Sequence, residues 1–220
     1  MAVFVFMVDK EITGIKVQKR NPERVSIYLD GEYAFGLSRI VAVWLQIGQQ
    51  LSEEKIRSLS NEDSIEVAYQ KTLRLINYRS RTEKEIRQKL IEKGFESNQI
   101  DIVISRLSEA GLIEDGQFAR MWVENRNEFH PRSHRLIKME LLQKGVAVEE
   151  IESALVESAD DAELATQAAK QHIRKYDRLE WPEFRKKLSA FLMRRGFSYG
   201  TIAPVVRSVW KSVRENQNQS

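Results

Sequence analysis

The chain of 220 residues has no cysteine, which excludes disulfide staples, thiolate zinc sites and cysteine nucleophiles. Proline occurs four times and glycine ten. Together with 42% hydrophobic and 30% charged residues, this is the composition of a soluble, helix-rich, intracellular protein. Long apolar runs are also missing. The opening stretch, residues 1–8, is too short to span a membrane and carries neither a basic leader nor a small-residue cleavage site. It is read either as an edge strand or as an extension upstream of a start at Met7. The expected compartment is the cytoplasm, without membrane contact. No G-x-x-x-x-G-K-[ST] loop, G-x-G-x-x-G, G-x-S-x-G elbow or H-E-x-x-H occurs, so the sequence gives nucleotide hydrolysis and the common hydrolases no local support. The expectation is a non-enzyme that needs no cofactor or metal.

What is present is charge, unevenly spread. Basic residues exceed acidic ones by only three. Residues 170–214, however, hold twelve Lys or Arg against Asp177, Glu180 and Glu183, whereas the segment up to Glu66 holds eight basic and ten acidic residues. A basic C-terminal body points to nucleic acid or a nucleoprotein as partner; the bland alternative is a solvated helical surface.

The N-terminal segment reads as strand. Ile15 to Lys19 alternates, Asn21-Pro22-Glu23 signals a turn, Val25, Ile27 and Leu29 alternate again, and Asp30-Gly31 is a strong hairpin signal before Tyr33-Ala34-Phe35-Gly36. A small meander follows, with Val25, Ile27, Leu29 and either Tyr33 or Phe35 on its covered face. The run from Ile40 to Ile47 predicts a short helix ending near Gly48, and Ser52 is the expected N-cap of another.

Beyond Asn61 the pattern is helical and repeats. Gly94, Gly145 and Gly196 are spaced by 51 residues, and the same offset relates Leu90, Leu141 and Leu192; Ile100, Ile151 and Ile202; Ile86, Ile137 and Leu188; Lys93, Lys144 and Arg195; and Phe95, Val146 and Phe197. Each copy reads as a helix with an apolar face (Ile86, Leu90 and Ile91 in the first), a cation in its last turn, and a left-handed glycine that stops it. Thr82 with Glu85 makes a capping box, Ser133 is its counterpart, and Asp160 with Glu163 makes another. The expected helices cover 67–78, 82–93 and 98–110; 115–129, 133–144 and 148–157; and 161–176, 183–195 and 199–213. The expected fold is therefore mainly α, a tandem repeat of three three-helix modules forming an elongated curved array behind a small N-terminal β-meander with short helices. Domain limits are placed at 1–60, 61–110, 111–158 and 159–214, with 215–220 a disordered tail.

Several residues have competing readings. Asp115 precedes a helical run and is expected to be its N-cap. His130 and His134 have the spacing of a helical metal pair, but Pro131 breaks that helix. Trp122, Phe129, Trp181, Phe184, Phe191 and Trp210 fall at apolar helical positions and are read as core or module contacts, with base stacking the alternative.

Gly111-Leu112-Ile113-Glu114-Asp115-Gly116-Gln117-Phe118-Ala119-Arg120, with Leu136 and Glu140-Leu141-Leu142-Gln143-Lys144-Gly145-Val146, resembles the central signatures of the RecX recombination regulators. Tyr78-Arg79-Ser80-Arg81-Thr82-Glu83-Lys84-Glu85-Ile86 resembles that family's first module, and Tyr28-Leu29-Asp30-Gly31-Glu32-Tyr33-Ala34-Phe35-Gly36-Leu37 the strand-rich extension of its longer members. The chain departs from the pattern at Ser133, where the family usually has glycine. The resemblance implies a non-enzymatic modulator of the RecA recombinase in DNA repair, recombination and the SOS response. It would be a monomer lying in the groove of the RecA filament on single-stranded DNA, limiting ATP turnover, strand exchange and co-protease activity, with weaker, salt-dependent affinity for DNA itself. The residues expected to carry the contact are Arg126, Arg132, Arg135, Lys138, Lys144, Arg174, Arg185, Lys186, Lys187, Arg194 and Arg195. Two rivals remain: a stand-alone nucleic-acid-binding helical repeat protein, and a scaffold that binds another helical protein through apolar grooves.

Overall fold

A computed structural model describes residues 9–217. They fall into two compact units, one of residues up to 80 with 86–112, the other of residues 81–85 with 113 onward. The first unit opens with β1 (Lys10–Gln18), β2 (Asn21–Leu29), β3 (Glu32–Ser38) and β4 (Gln50–Leu51), an antiparallel sheet in the order β3-β2-β1-β4. Alternation on β2 buries Val25, Ile27 and Leu29; on the returning strand Phe35 packs against them and Tyr33 is exposed. Asp30 (φ 51°) and Gly31 (φ 91°) form the tight turn, the pair of positive φ values that matches the twist of a two-residue hairpin.

Three N-terminal expectations change. Asn21 and Pro22 lie inside β2 and the first hairpin turns at Lys19-Arg20. The helix expected over 40–47 is only α1 (Arg39–Ala42), leaving Ile40, Val43, Trp44 and Ile47 exposed. β-Branched residues crowd this run and no side chain caps its start, so little favours a longer helix. The third change is α2 (Glu53–Tyr78), capped by Ser52 Oγ, which accepts Lys55 N–H at 3.2 Å. It runs unbroken through position 60/61, because no glycine or proline interrupts those 26 residues. Asp63 of α2 accepts Ser38 N–H and Oγ–H at 2.6 Å and pairs with Arg24 at 2.7 Å, tying helix to sheet. α3 (Glu83–Ile91), whose residues 83–85 belong to the second unit, and α4 (Ser97–Glu109) follow. Ile86 and Leu90 are buried, but Ile91 is exposed rather than part of that face.

The second unit contains α5 (Asp115–Phe129), α6 (His134–Gln143), α7 (Val148–Val156), α8 (Asp161–His172), α9 (Trp181–Arg194) and α10 (Tyr199–Gln217). α8 ends early, tightening into a 3-10 turn at Ile173–Lys175. Residues 215–217, expected in a disordered tail, continue α10; the readings of residues 1–8 and 218–220 fall outside the described residues. Two apolar cores fill this unit, one around Phe118, Ile137, Leu141 and Ile151, the other around Phe184, Leu188, Leu192 and Ile202.

The 51-residue period is a repeated helix stop. Gly94, Gly145 and Gly196 have φ of 82°, 88° and 89°. In each copy the next residue's N–H reaches back to a leucine carbonyl: Phe95 to Leu90, Val146 to Leu141 and Phe197 to Leu192, at 3.1–3.3 Å. That is the Schellman arrangement, with the apolar residue after the glycine closing over the helix end.

Candidate functional site

The same repeat builds two joints inside the second unit. At the first, Thr82 Oγ1–H donates to the Lys144 carbonyl at 2.7 Å and Glu83 N–H to Asp115 Oδ1 at 3.0 Å. At the second, where the helix start and the helix stop each lie 51 residues on, Ser133 N–H donates to the Arg195 carbonyl at 3.0 Å and His134 N–H to Asp161 Oδ1 at 2.8 Å. The stop glycines serve twice here. A Cβ on Gly145 would lie 2.6 Å from Lys84 Cβ, and one on Gly196 2.5 Å from Ser133 Oγ and 2.8 Å from Leu136 Cβ, whereas Gly94 faces open space.

Two expectations are settled by this geometry. Asp115 does not cap its own helix: Glu114 holds the N-cap position without a side-chain bond, and the Asp115 carboxylate caps α3 instead. Ser133 has φ −63° and ψ 150°, a conformation open to any residue, and its Oγ caps α6 by accepting Leu136 N–H.

Charge distinguishes the joints. At the first, the Glu85 carboxylate takes Lys144 Nζ at 2.6 Å and Arg81 at 3.9 Å, and Lys144 also lies over the Trp122 ring at 4.6 Å. Burial pushes the Asp115 carboxyl above its usual range; Glu83 N–H opposes this, and the charges of Glu83, Glu150 and Glu85 add to it. At the second joint the residue matching Glu85 is Leu136. Arg126 (Nε, 2.9 Å) and Arg132 therefore share Glu140, which also accepts the Trp122 indole N–H at 2.9 Å. Arg195 donates to the Pro131 carbonyl at 3.1 Å and lies over Phe191.

Two guanidinium groups thus share one carboxylate, and a third, that of Arg195, lies near enough to repel them without a carboxylate of its own among the described residues. Burial holds each of them below its usual value, with repulsion from Arg126 and Arg195 adding at Arg132 and from Arg126 adding at Arg195. His172, stacked on Phe191 at 4.1 Å, is also held down, first by burial and then by Lys175, Arg195 and Arg194. A half-buried cluster of guanidiniums with donors to spare is a ready acceptor of phosphate or carboxylate oxygens.

The expected contact residues divide accordingly. Arg126, Arg132 and Arg195 converge on the second joint. Lys144 is spent at the first, Lys138 pairs with Glu152 at 2.7 Å, and Lys187 with Glu183 at 3.8 Å. Arg135, Arg174, Arg185, Lys186 and Arg194 are exposed, with no carboxylate within 4 Å among the described residues. Glu140 and His172 are not among the expected site residues, and Trp122 is expected as a core or module contact with base stacking the alternative. Trp122 and Arg126, four apart on α5, carry a cation–π signal (4.2 Å) that helical spacing makes legible. His130 ends α5 and His134 starts α6, on either side of the break at Pro131, and His134 Nε2 lies 2.9 Å from the Ala159 carbonyl. Of the aromatic residues, Phe184 and Phe191 are buried and Trp122, Trp181 and Trp210 pack on the cores, but Phe129 is exposed rather than internal.

Family models match most of the chain: the regulatory protein RecX N-terminal domain at residues 10–52 and the first, second and third RecX three-helix domains at 68–107, 115–155 and 159–206. A regulatory protein RecX of Clostridium perfringens (strain SM101 / Type A) is 32% identical over 203 residues, and one of Clostridium botulinum (strain Eklund 17B / Type B) 30% identical over 203; each alignment covers 90% of this chain and 95% of the relative. A crystal structure of regulatory protein RecX superposes with a TM-score of 0.71 at 28% identity, covering 92% of this chain and 99% of that one.

Proposed function

The chain belongs to the RecX family of regulatory proteins, and from that premise we propose that it regulates a RecA recombinase by binding the filament on single-stranded DNA and limiting its ATP turnover. It works by occupying the filament and not by chemistry of its own. The observation that carries the reading is the second joint, where Arg126 and Arg132 share the Glu140 carboxylate and Arg195 adds a third guanidinium held by the Pro131 carbonyl. Exposed Arg135, Arg185, Lys186 and Arg194 extend this positive field. A filament on DNA presents phosphates and acidic protein surface, both attracted by such a field. The effect on strand exchange and co-protease activity belongs to the same proposal, as do action as a monomer in the cytoplasm and a role in DNA repair and the SOS response. No described helix is long and apolar enough to cross a membrane.

The test is ATP hydrolysis by the cognate RecA on single-stranded DNA, titrated with this protein at two salt concentrations. Inhibition far below the amount that coats the DNA is expected, weakening as salt rises. Inhibition only at DNA-coating amounts would make this a stand-alone nucleic-acid-binding protein that competes for the strand.

A further inference from the structure

Away from the joints, α9 and α10 enclose a groove whose cations Arg185 and Lys186 belong to the positive field above but whose aromatic lining that field does not explain. Trp181, Arg185 and Ser189 follow one another at four-residue steps along α9, and Tyr199, Ala203 and Arg207 do the same along α10, so each set lies on one helix face. The two faces line adjoining cavities of about 440 and 270 Å³ that share Trp181, Arg185, Ser189 and Tyr199. Even the larger alone falls within the roughly 300–1,000 Å³ of small-ligand sites.

The lining has an unusual chemistry. Trp181 rests against Phe184 and Trp210 of the core and borders the cavity as well. Tyr199 is 66% exposed, a large ring with no apolar cover. Arg185, Lys186 and Arg207 are exposed and without a carboxylate within 4 Å among the described residues. The nearby acids are engaged elsewhere, Glu183 by Lys187 and Glu180 by Arg214. No acidic side chain lines either cavity. Flat π faces together with unneutralised cations suit a ligand that is itself flat and anionic. A solvated helix surface explains the cations but not two aromatic side chains lining one cavity.

We propose that this groove binds an unstacked nucleotide of single-stranded DNA, its base against the ring of Trp181 or Tyr199 and its flanking phosphates on Arg185, Lys186 and Arg207. It deepens the regulator reading, resting on it for the choice of single-stranded DNA as the nucleic acid at hand. The groove grips an unpaired strand through chemistry that a paired duplex, with its bases stacked inside, withholds.

Fluorescence anisotropy with labelled oligo(dT) and an abasic strand of equal length tests this, and circular dichroism checks each variant's helicity. Tyr199→Ala removes only an exposed ring and is expected to weaken oligo(dT) binding roughly five- to tenfold while leaving the abasic strand unchanged. Replacing Arg185, Lys186 and Arg207 by alanine weakens both strands and lowers the salt slope by about 2, at ~0.7 per phosphate contact. Equal binding of both strands by the parent chain, an equal loss on both with Tyr199→Ala, or no binding at all overturns the groove. So does competition by free thymidine monophosphate as strong as that of the strand, which would make it a mononucleotide site. ATP turnover by RecA is read in parallel. Inhibition by a chain that does not prefer bases removes the groove and leaves the regulator, and base-dependent binding without inhibition does the reverse.

Discussion

The two joints of the second unit share a backbone and differ in the sign of their field. Both set the first turn of one helix against the glycine stop of another, and both cap that turn with an aspartate from a third helix. At the first joint Glu85 neutralises Lys144 and Arg81, and the Asp115 pKa is raised first by burial and then by the carboxylates of Glu83, Glu150 and Glu85. At the second, Leu136 stands where Glu85 would be, and the guanidiniums of Arg126, Arg132 and Arg195 press on one another. Repetition of the frame is thus architecture, and the change at single positions within it alters the local charge, on which the proposed function rests.

The comparison breaks most severely at its glycines. Gly196→Ala meets both a positive φ and rigid neighbours in Ser133 and Leu136, and should cost about 3 kcal/mol or more. Gly145→Ala meets the Lys84 stem and should cost slightly less. Gly94→Ala, in open space, should cost only the backbone strain of about 1–2 kcal/mol. Denaturant melts of the three variants check the order, and equal losses would show that the close approach does not matter.

Glu140→Gln removes the carboxylate that Arg126 and Arg132 share. The pairs it breaks are largely shielded from water, so about 2–3 kcal/mol should be lost. Added sulfate should then recover more stability in the variant than in the parent chain, read as the shift of the thermal midpoint. Identical shifts would mean that the cluster does not take up anions.

The smallest effects are opposite in pH. Asp115, raised in the fold, disfavours folding once ionised, so its contribution to stability falls as pH climbs from the ordinary carboxylate value to the raised one. Asp115→Asn, which keeps the acceptor for Glu83, should gain on the parent chain across that window. His172, depressed in the fold, acts the other way. Stability is lost as pH falls from the ordinary histidine value to the folded one, because the unfolded chain takes the proton first. His172→Gln should remove that acid loss. Thermal midpoints against pH for both variants give the two signs, and parallel curves would contradict a difference in field.

Much of this frame is legible in the sequence. The 51-residue period marks all three glycine stops, and Ser52, Ser133 and Asp160 act as the caps their positions suggest. Local chemistry fails where distant residues decide. Asp115 has the look of a cap for its own helix, yet the donor it serves lies 32 positions earlier. Arg126 and Lys144 look alike as surface cations, and only the fold brings Glu85 to one and two further guanidiniums near the other. The 26-residue run of α2 crosses the limit expected at 60/61, because nothing in its helical propensity changes at Asn61.

The central claim is that the second joint, where Arg195 adds a third guanidinium beside the two that Glu140 holds, carries the regulatory contact. Leu136→Glu tests it most directly, by placing there the carboxylate that the first joint already has, with Glu85→Leu as the mirror at the first joint. Measured as inhibition of RecA ATP turnover on single-stranded DNA, Leu136→Glu should act several-fold more weakly than the parent chain at unchanged helicity. Unchanged inhibition, or an equal loss from Glu85→Leu, would contradict the account.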